Sequence, residues 1–227
     1  MQTDHAIERL FQQLISGERT ATFNFINELQ SDGWTGEEMA HAIYWPVLNT
    51  LNQFYRQDQL STLAYNYGTR LLRVVVDQAQ SSYTPAARNG RRICLFCGPA
   101  EGEDLAAQLA ADLLEAAGYE VYFGGAGVAN DEIMAEAGAR RPDVLLMFAS
   151  SASDAPVIRQ LIDSVRSLGA LPSTSIVCGG GVFNRAPGLA EEIGADAFAA
   201  TPQELIRVLE ESRANKVTAR PRRRAIA

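Results

Sequence analysis

Three short stretches of this chain, two of them bearing glycine, carry residues able to hold a bound group. Gly102-Glu103-Asp104-Leu105 sets two carboxylates beside a turn, Ser150-Ser151 offers paired hydroxyls, and Gly179-Gly180-Gly181 leads into Val182-Phe183-Asn184. Glycine tolerates positive φ and lets a ligand approach the backbone closely. A run of three raises the entropic cost of folding unless the space is used, although any single glycine has a local explanation in a tight strand-to-helix turn. The set suits binding better than bond breaking. The only histidines, His5 and His41, lie far upstream of these stretches, so no imidazole stands beside them as base or metal ligand. Ser150, Ser151 and Ser153 lack an activating partner in sequence, and helix capping accounts for each. No Cys/His/Asp spacing suggests zinc.

The elements that must position these residues fall into two regions. Residues 4 to 80 carry helical periodicity almost throughout. Ile7, Leu10, Phe11, Leu14 and Ile15 form one apolar face, and Gly17 ends that helix. A second helix is expected from Thr20 to Gln30, closed by Gly33, and a third begins at a capping box in Thr35-Gly36-Glu37-Glu38, with a kink at Pro46. The fourth, Ser61 to Gln80, turns Leu63, Tyr67, Leu71, Val74 and Val75 or their neighbours inward. Four amphipathic helices with short connections predict a bundle over residues 1–80.

Residues 81–91 have linker composition. Short apolar runs then alternate with helical segments: runs at 93–97, 120–123, 144–148, 175–178 and 197–199, and helices at 103–117, 130–140, 155–168, 186–193 and 202–213. That order predicts an α/β domain over 92–213, a five-stranded parallel sheet of flavodoxin or Rossmann type with helices on both faces. Ligands of such sheets settle beyond the carboxyl ends of the strands, which is where the glycine-bearing turns fall. Residues 214–227, with Lys216, Arg220, Arg222, Arg223 and Arg224, are expected to form a basic disordered tail.

Several classes are excluded. Gly98-Pro99-Ala100-Glu101-Gly102 is not a dinucleotide fingerprint, and no lysine follows the glycines as a phosphate loop requires. A phosphoacceptor receiver needs an aspartate after the third strand, where Phe148-Ala149-Ser150 stands. A formal net charge of -7 opposes direct nucleic-acid binding. Three cysteines argue against a disulfide framework, and Cys94 and Cys97, three apart on a strand, face opposite ways. No apolar run approaches the ~20 residues of a membrane span, and the N-terminal residues lack a leader pattern, so a cytoplasmic protein is expected.

Residues 92–210 closely resemble the cobalamin (vitamin B12)-binding domain family, including its sensor and antirepressor subgroup. The resemblance rests on Gly102-Glu103-Asp104-Leu105, on Ser150-Ser151, and on the run from Gly179 to Leu189 with Ile193-Gly194-Ala195-Asp196. It implies that the glycines clear a channel for the cofactor's nucleotide tail, that a serine bonds its benzimidazole, and that a histidine supplies the lower axial cobalt ligand. In the register Glu103-Asp104-Leu105-Ala106-Ala107-Gln108, Leu105 takes the histidine position and Gln108 that of a glycine. The helical half resembles the family's cap, with Tyr55 at a tryptophan position and Tyr65-Asn66 at a Glu-His pair.

The cofactor-contacting residues implied are therefore Gly102, Glu103, Asp104, Leu105, Ser150, Ser151, Gly179, Gly180, Gly181, Phe183, Tyr55, Tyr65 and Asn66, with Phe54, Tyr55, Tyr65 and Tyr67 as a stacking lid. Core filling or a dimer contact explains the aromatics equally simply. The resemblance implies a non-enzymatic regulatory or sensory protein whose corrinoid binding is weakened or lost. The alternatives are a sensor that holds cobalamin or another tetrapyrrole without a protein ligand, and a corrinoid carrier for methyl transfer. A transcriptional regulator or other signalling protein is the implied partner, with a homodimer as the further option.

Overall fold

A computed structural model of the chain describes residues 3–219. Helix α1 (Thr3–Ser16) buries Ala6, Leu10, Phe11 and Leu14 and stops at Gly17, whose φ of +73° suits glycine. Helix α2 is Arg19–Ser31. The capping box forms as expected: Glu38 N–H donates to Thr35 Oγ1 at 3.2 Å and Thr35 N–H to Glu38 Oε2 at 2.9 Å, opening α3 (Gly36–Met39). A π-helical turn, Ala40–Tyr44, joins it to α4 (Trp45–Arg56). In that turn Trp45 N–H reaches back to Ala40 O. The wider turn sits immediately before Pro46, a residue that has no N–H to give and crowds the preceding turn.

Helix α5 (Thr62–Gln80), capped by Ser61, completes the bundle and buries Leu71, Leu72, Val75, Val76 and Ala79. Leu63 and Tyr67 do not turn inward as expected; they are 60% and 46% exposed. The neighbouring positions Gly68 and Thr69 are buried instead.

The second half is β1 (Arg92–Cys97), α6 (Glu101–Ala116), β2 (Glu120–Ala126), α7 (Asn130–Arg140), β3 (Val144–Phe148), α8 (Asp154–Leu168), β4 (Ser175–Gly179), α9 (Gly181–Arg185), α10 (Leu189–Glu192), β5 (Ala197–Ala199) and α11 (Pro202–Ala219). All five strands are parallel, in the order β2-β1-β3-β4-β5. That is the flavodoxin-like order, and its direction reverses between β1 and β3. The helix expected over 186–193 is shorter, α10 at Leu189–Glu192, because Pro187 lacks an N–H and Gly188 turns through φ +86°, and the short α9 before it was not foreseen. Helix α11 continues through Ala219, so the start of the expected disordered tail is helical. Arg220, Arg222, Arg223 and Arg224 lie outside the described residues.

One apolar cluster runs without a break from the bundle (Leu10, Leu48, Val76) through α6 (Leu105, Leu109, Leu113) to one sheet face (Ile93, Leu95, Val144). The other face packs on α7 and α8 through Cys94, Leu145, Ile158 and Ile162. Cys94 and Cys97 thus fall in different clusters, as strand alternation requires. Together with Cys178 they are free and buried thiols, and burial raises the pKa of each. The linker is laid along the end of α6 by Ala86 N–H to Ala116 O at 2.7 Å and Asn89 N–H to Gly118 O at 2.9 Å.

Candidate functional site

The reversal of strand order leaves a crevice at the carboxyl ends of β1 and β3, and the bundle closes over it. A cavity of about 370 Å³ results. The sheet half lines it with Ala100, Gly102, Glu103, Ser150 and Ser151, the bundle with Asn52, Tyr55, Arg56 and Tyr65. Six of the residues expected at a site therefore meet here. Asn52 and Arg56 join them unforeseen, although Asn52, Tyr55 and Arg56 share one face of α4 at i, i+3 and i+4.

Glu103, 2% exposed, braces the floor. Its Oε1 accepts the Ser150 N–H and, at 2.9 Å, the Ser151 N–H, so the loop after β3 is fastened to the first turn of α6. Burial pushes the Glu103 carboxyl above its usual range, the charge of Asp154 adds to this, and the two amides oppose it. Its Oε2 has no hydrogen-bond partner among the described residues and lies under Gly98, where a Cβ would come within 2.1 Å. Gly98 is thus required by a protein carboxylate.

The roof is aromatic. Tyr55 and Tyr65 stack with centroids 4.1 Å apart and planes 11° from parallel. Tyr65 Oη donates to Asn52 Oδ1 at 2.8 Å, and both atoms press on Gly102, where a Cβ would lie 2.4 and 2.3 Å from them. The rest of the expected lid is elsewhere: Phe54 packs edge-on against Phe11 at 5.4 Å, and Tyr67 lies against Gly17.

Asp104 and Gln108, one turn apart on α6, face α5 rather than the cavity. Arg73 bridges them, with Nη2 2.9 Å from Asp104 Oδ2 and Nη1 2.7 Å from Gln108 Oε1, while Gln108 Nε2 donates to Asp77 Oδ1. Gln108 is therefore a cross-helix clamp.

Leu105 is fully buried in the bundle-side core and does not line the cavity. Two residues along a helix turn the side chain by about 200°, at ~100° each, so with Glu103 on the rim Leu105 must face the core. Of the expected contact residues on this turn, Gly102 and Glu103 line the cavity and Leu105 does not. Asn66 accepts from Thr69 within its own helix, and Phe183, 2% exposed, packs against Phe198 in the opposite core. Gly179, Gly180 and Gly181 also stand apart from the cavity. A Cβ at each would meet Phe148, the Ala149 backbone and Arg185 at 2.9, 2.3 and 2.8 Å. The triple run serves close packing of the chain on itself.

Residues 91–208 match the model of the B12 binding domain. No curated protein matches the sequence. Among solved structures, the monomethylamine corrinoid protein of Methanosarcina barkeri is similar at TM-score 0.70 and 16% identity, over 93% of this chain and 100% of that one. The methanol:cobalamin methyltransferase complex of the same organism is similar at TM-score 0.50 and 13% identity, over 93% of this chain and 80% of that one. At these identities the likeness is one of fold, bundle included. No described helix is long and apolar enough to cross a membrane, and no group of three or more His, Cys, Asp or Glu among the described residues could hold a metal ion.

Proposed function

The chain belongs to the B12-binding domain family, and we propose that it is a non-catalytic regulatory binding protein of that family which does not hold a corrinoid. The observation that carries this reading is the roof of the rim cavity, where Tyr55 stacks on Tyr65 and Tyr65 bonds Asn52 directly over Gly102. Each of the two rings spends one face on the other, which reduces the aromatic area left for a planar macrocycle. The remaining volume of about 370 Å³ belongs to the lower part of the ~300–1,000 Å³ range of small-molecule sites. A corrin with its side chains is far larger than such a ligand.

The donor set disagrees with the cofactor as well. The side chain of this turn that faces the cavity is the Glu103 carboxylate, already committed to two backbone amides. Carboxylate oxygens suit hard ions such as Mg²⁺ or Ca²⁺ better than the imidazole-loving transition metals. His5 and His41 belong to α1 and the π-helical turn. Side chains of this chain, Glu103, Phe148 and Arg185, lie against the Cβ positions of Gly98, Gly179 and Gly181, which supports a reading in which these glycines serve internal packing.

The partner in this reading is a transcriptional regulator or other signalling protein, met by protein contact, since a net charge of -7 opposes direct reading of DNA. The test is incubation with hydroxocobalamin and with adenosylcobalamin, desalting, and a visible spectrum. The expected spectrum shows no retained corrinoid. Stoichiometric retention overturns the proposal and favours the carrier for methyl transfer, a reading supported by the full-length likeness of fold to the corrinoid protein.

A further inference from the structure

Among the described residues that line the rim cavity, the charged side chain left without a partner is a cation, Arg56. Arg56 makes no hydrogen bond or ion pair among the described residues. Arg185 spends one bond on the Ser150 carbonyl. Partial burial, and then the charge of Arg185 nearby, both lower the pKa of Arg56. Arg185 acts on Arg56 as a like charge, a repulsion that a counter-anion relieves. Among the described residues that line the cavity, none supplies one. Glu103 Oε1 is taken by the Ser150 and Ser151 amides, and its Oε2 is sealed under Gly98.

The other polar group on the bundle side is a donor too. Asn52 Oδ1 accepts from Tyr65, which turns the amide nitrogen of Asn52 toward its remaining surroundings. Beside these donors lies the Tyr55 ring, stacked on Tyr65 and still 36% exposed. An exposed ring that already belongs to an offset stack offers its outer area to a further flat group.

Resting on the reading that no corrinoid sits here, we propose that the rim cavity binds a small organic anion. A flat apolar body lies on the Tyr55–Tyr65 pair, and a carboxylate or phosphate sits between Arg56 and Arg185. A guanidinium fork matches either headgroup with two parallel hydrogen bonds, and such charge-assisted bonds are about twice as strong as neutral ones. The volume of about 370 Å³ admits a one- or two-ring acid.

Calorimetric titration of the full chain at low salt with benzoate, phenyl phosphate, benzamide and benzylamine tests this. The better of the two anions is expected to bind at least about tenfold more tightly than neutral benzamide, with benzylamine weakest. Whichever anion binds more tightly names the headgroup. Arg56→Gln and Arg185→Gln should each weaken that anion about tenfold, with circular dichroism unchanged and Arg56→Lys intermediate. Equal affinity for benzamide and the anions overturns the proposal, as does an Arg56→Gln protein that binds like the parent, or no anion binding at ~10 mM. Hydroxocobalamin applied to the same sample separates the two ideas. Its retention overturns the non-corrinoid reading, whereas refusal of both corrinoid and anions overturns the anion site alone.

Discussion

Glu103 and Asp112 ride on the same helix, α6, and both are buried, at 2% and 7% exposure, yet the two ends of that helix treat a carboxyl group differently. At the rim end Glu103 lies in the first turn, where the helix dipole favours negative charge, and two loop amides bond it. At the linker end Asp112 lines a cavity of about 310 Å³ beneath Tyr83 and Arg88. There its Oδ2 and the Tyr83 hydroxyl have no hydrogen-bond partner among the described residues. Burial, helped by the charges of Glu115 and Asp77, pushes the Asp112 carboxyl up to about 7. Burial raises both carboxyls, but at Glu103 two loop amides oppose the rise and tie two elements together, whereas Asp112 Oδ2 has no partner among the described residues.

The sharpest break in this comparison comes from Leu105, which is one turn or less from the rim yet faces the shared core. Leu105→Ala should lower stability by about 3 kcal/mol in urea denaturation, within the span of buried leucine truncations. Leu105→His should cost at least as much and bring no cobalamin uptake, because the imidazole would enter the core. Uptake by that variant would restore Leu105 to the cofactor's position.

Removing the rim carboxyl is the next largest effect. Glu103→Ala leaves the Ser150 and Ser151 amides unpaired and should cost about 2 kcal/mol, with faster amide hydrogen exchange confined to the loop after β3. Glu103→Gln keeps an acceptor oxygen and should cost under ~1 kcal/mol. Equal losses for the two variants would mean that Glu103 matters by charge and not by its bonds.

The linker end gives the smallest effect per step, and it is a pH effect. Asp112 has a folded pKa of about 7 against an ordinary 3.8, so between those values the folded chain holds a proton that the unfolded chain has released. Stability is then greatest at the low end of that window and falls by ~1.4 kcal/mol per pH unit as pH rises toward 7. Asp112→Asn should flatten that slope in urea titrations at pH 5, 6 and 7. An unchanged slope would remove the contrast between the two ends of α6.

Much of the fold is local physics and was legible in the chain. Apolar spacing marked the bundle helices and every strand, the capping box at Thr35 formed, and Gly17 ended α1. The misses share one cause, which is that neighbours distant in sequence set the outcome. Leu63 and Tyr67 have core-like spacing but are exposed, while the adjacent Gly68 and Thr69 are buried. Gln108 occupies what looked like an emptied glycine position and is claimed instead by Arg73 and Asp77 on another helix. The Gly179–Gly181 run looked like space for a ligand, and Phe148, Ala149 and Arg185 fill it.

By itself the sequence determined the class of fold, the carboxyl-rim location of the site, and the meeting there of Gly102, Glu103, Ser150, Ser151, Tyr55 and Tyr65. Periodicity and turn chemistry act over a few residues, and a parallel sheet gathers its loops at one edge whatever their contents. Only the tertiary structure decided that Glu103 rather than Leu105 faces the cavity, that the two tyrosines stack on each other, and that Arg56 has no anionic partner among the described residues. Those outcomes depend on how far α6 has rotated when it meets the bundle, an angle fixed by packing across the shared core.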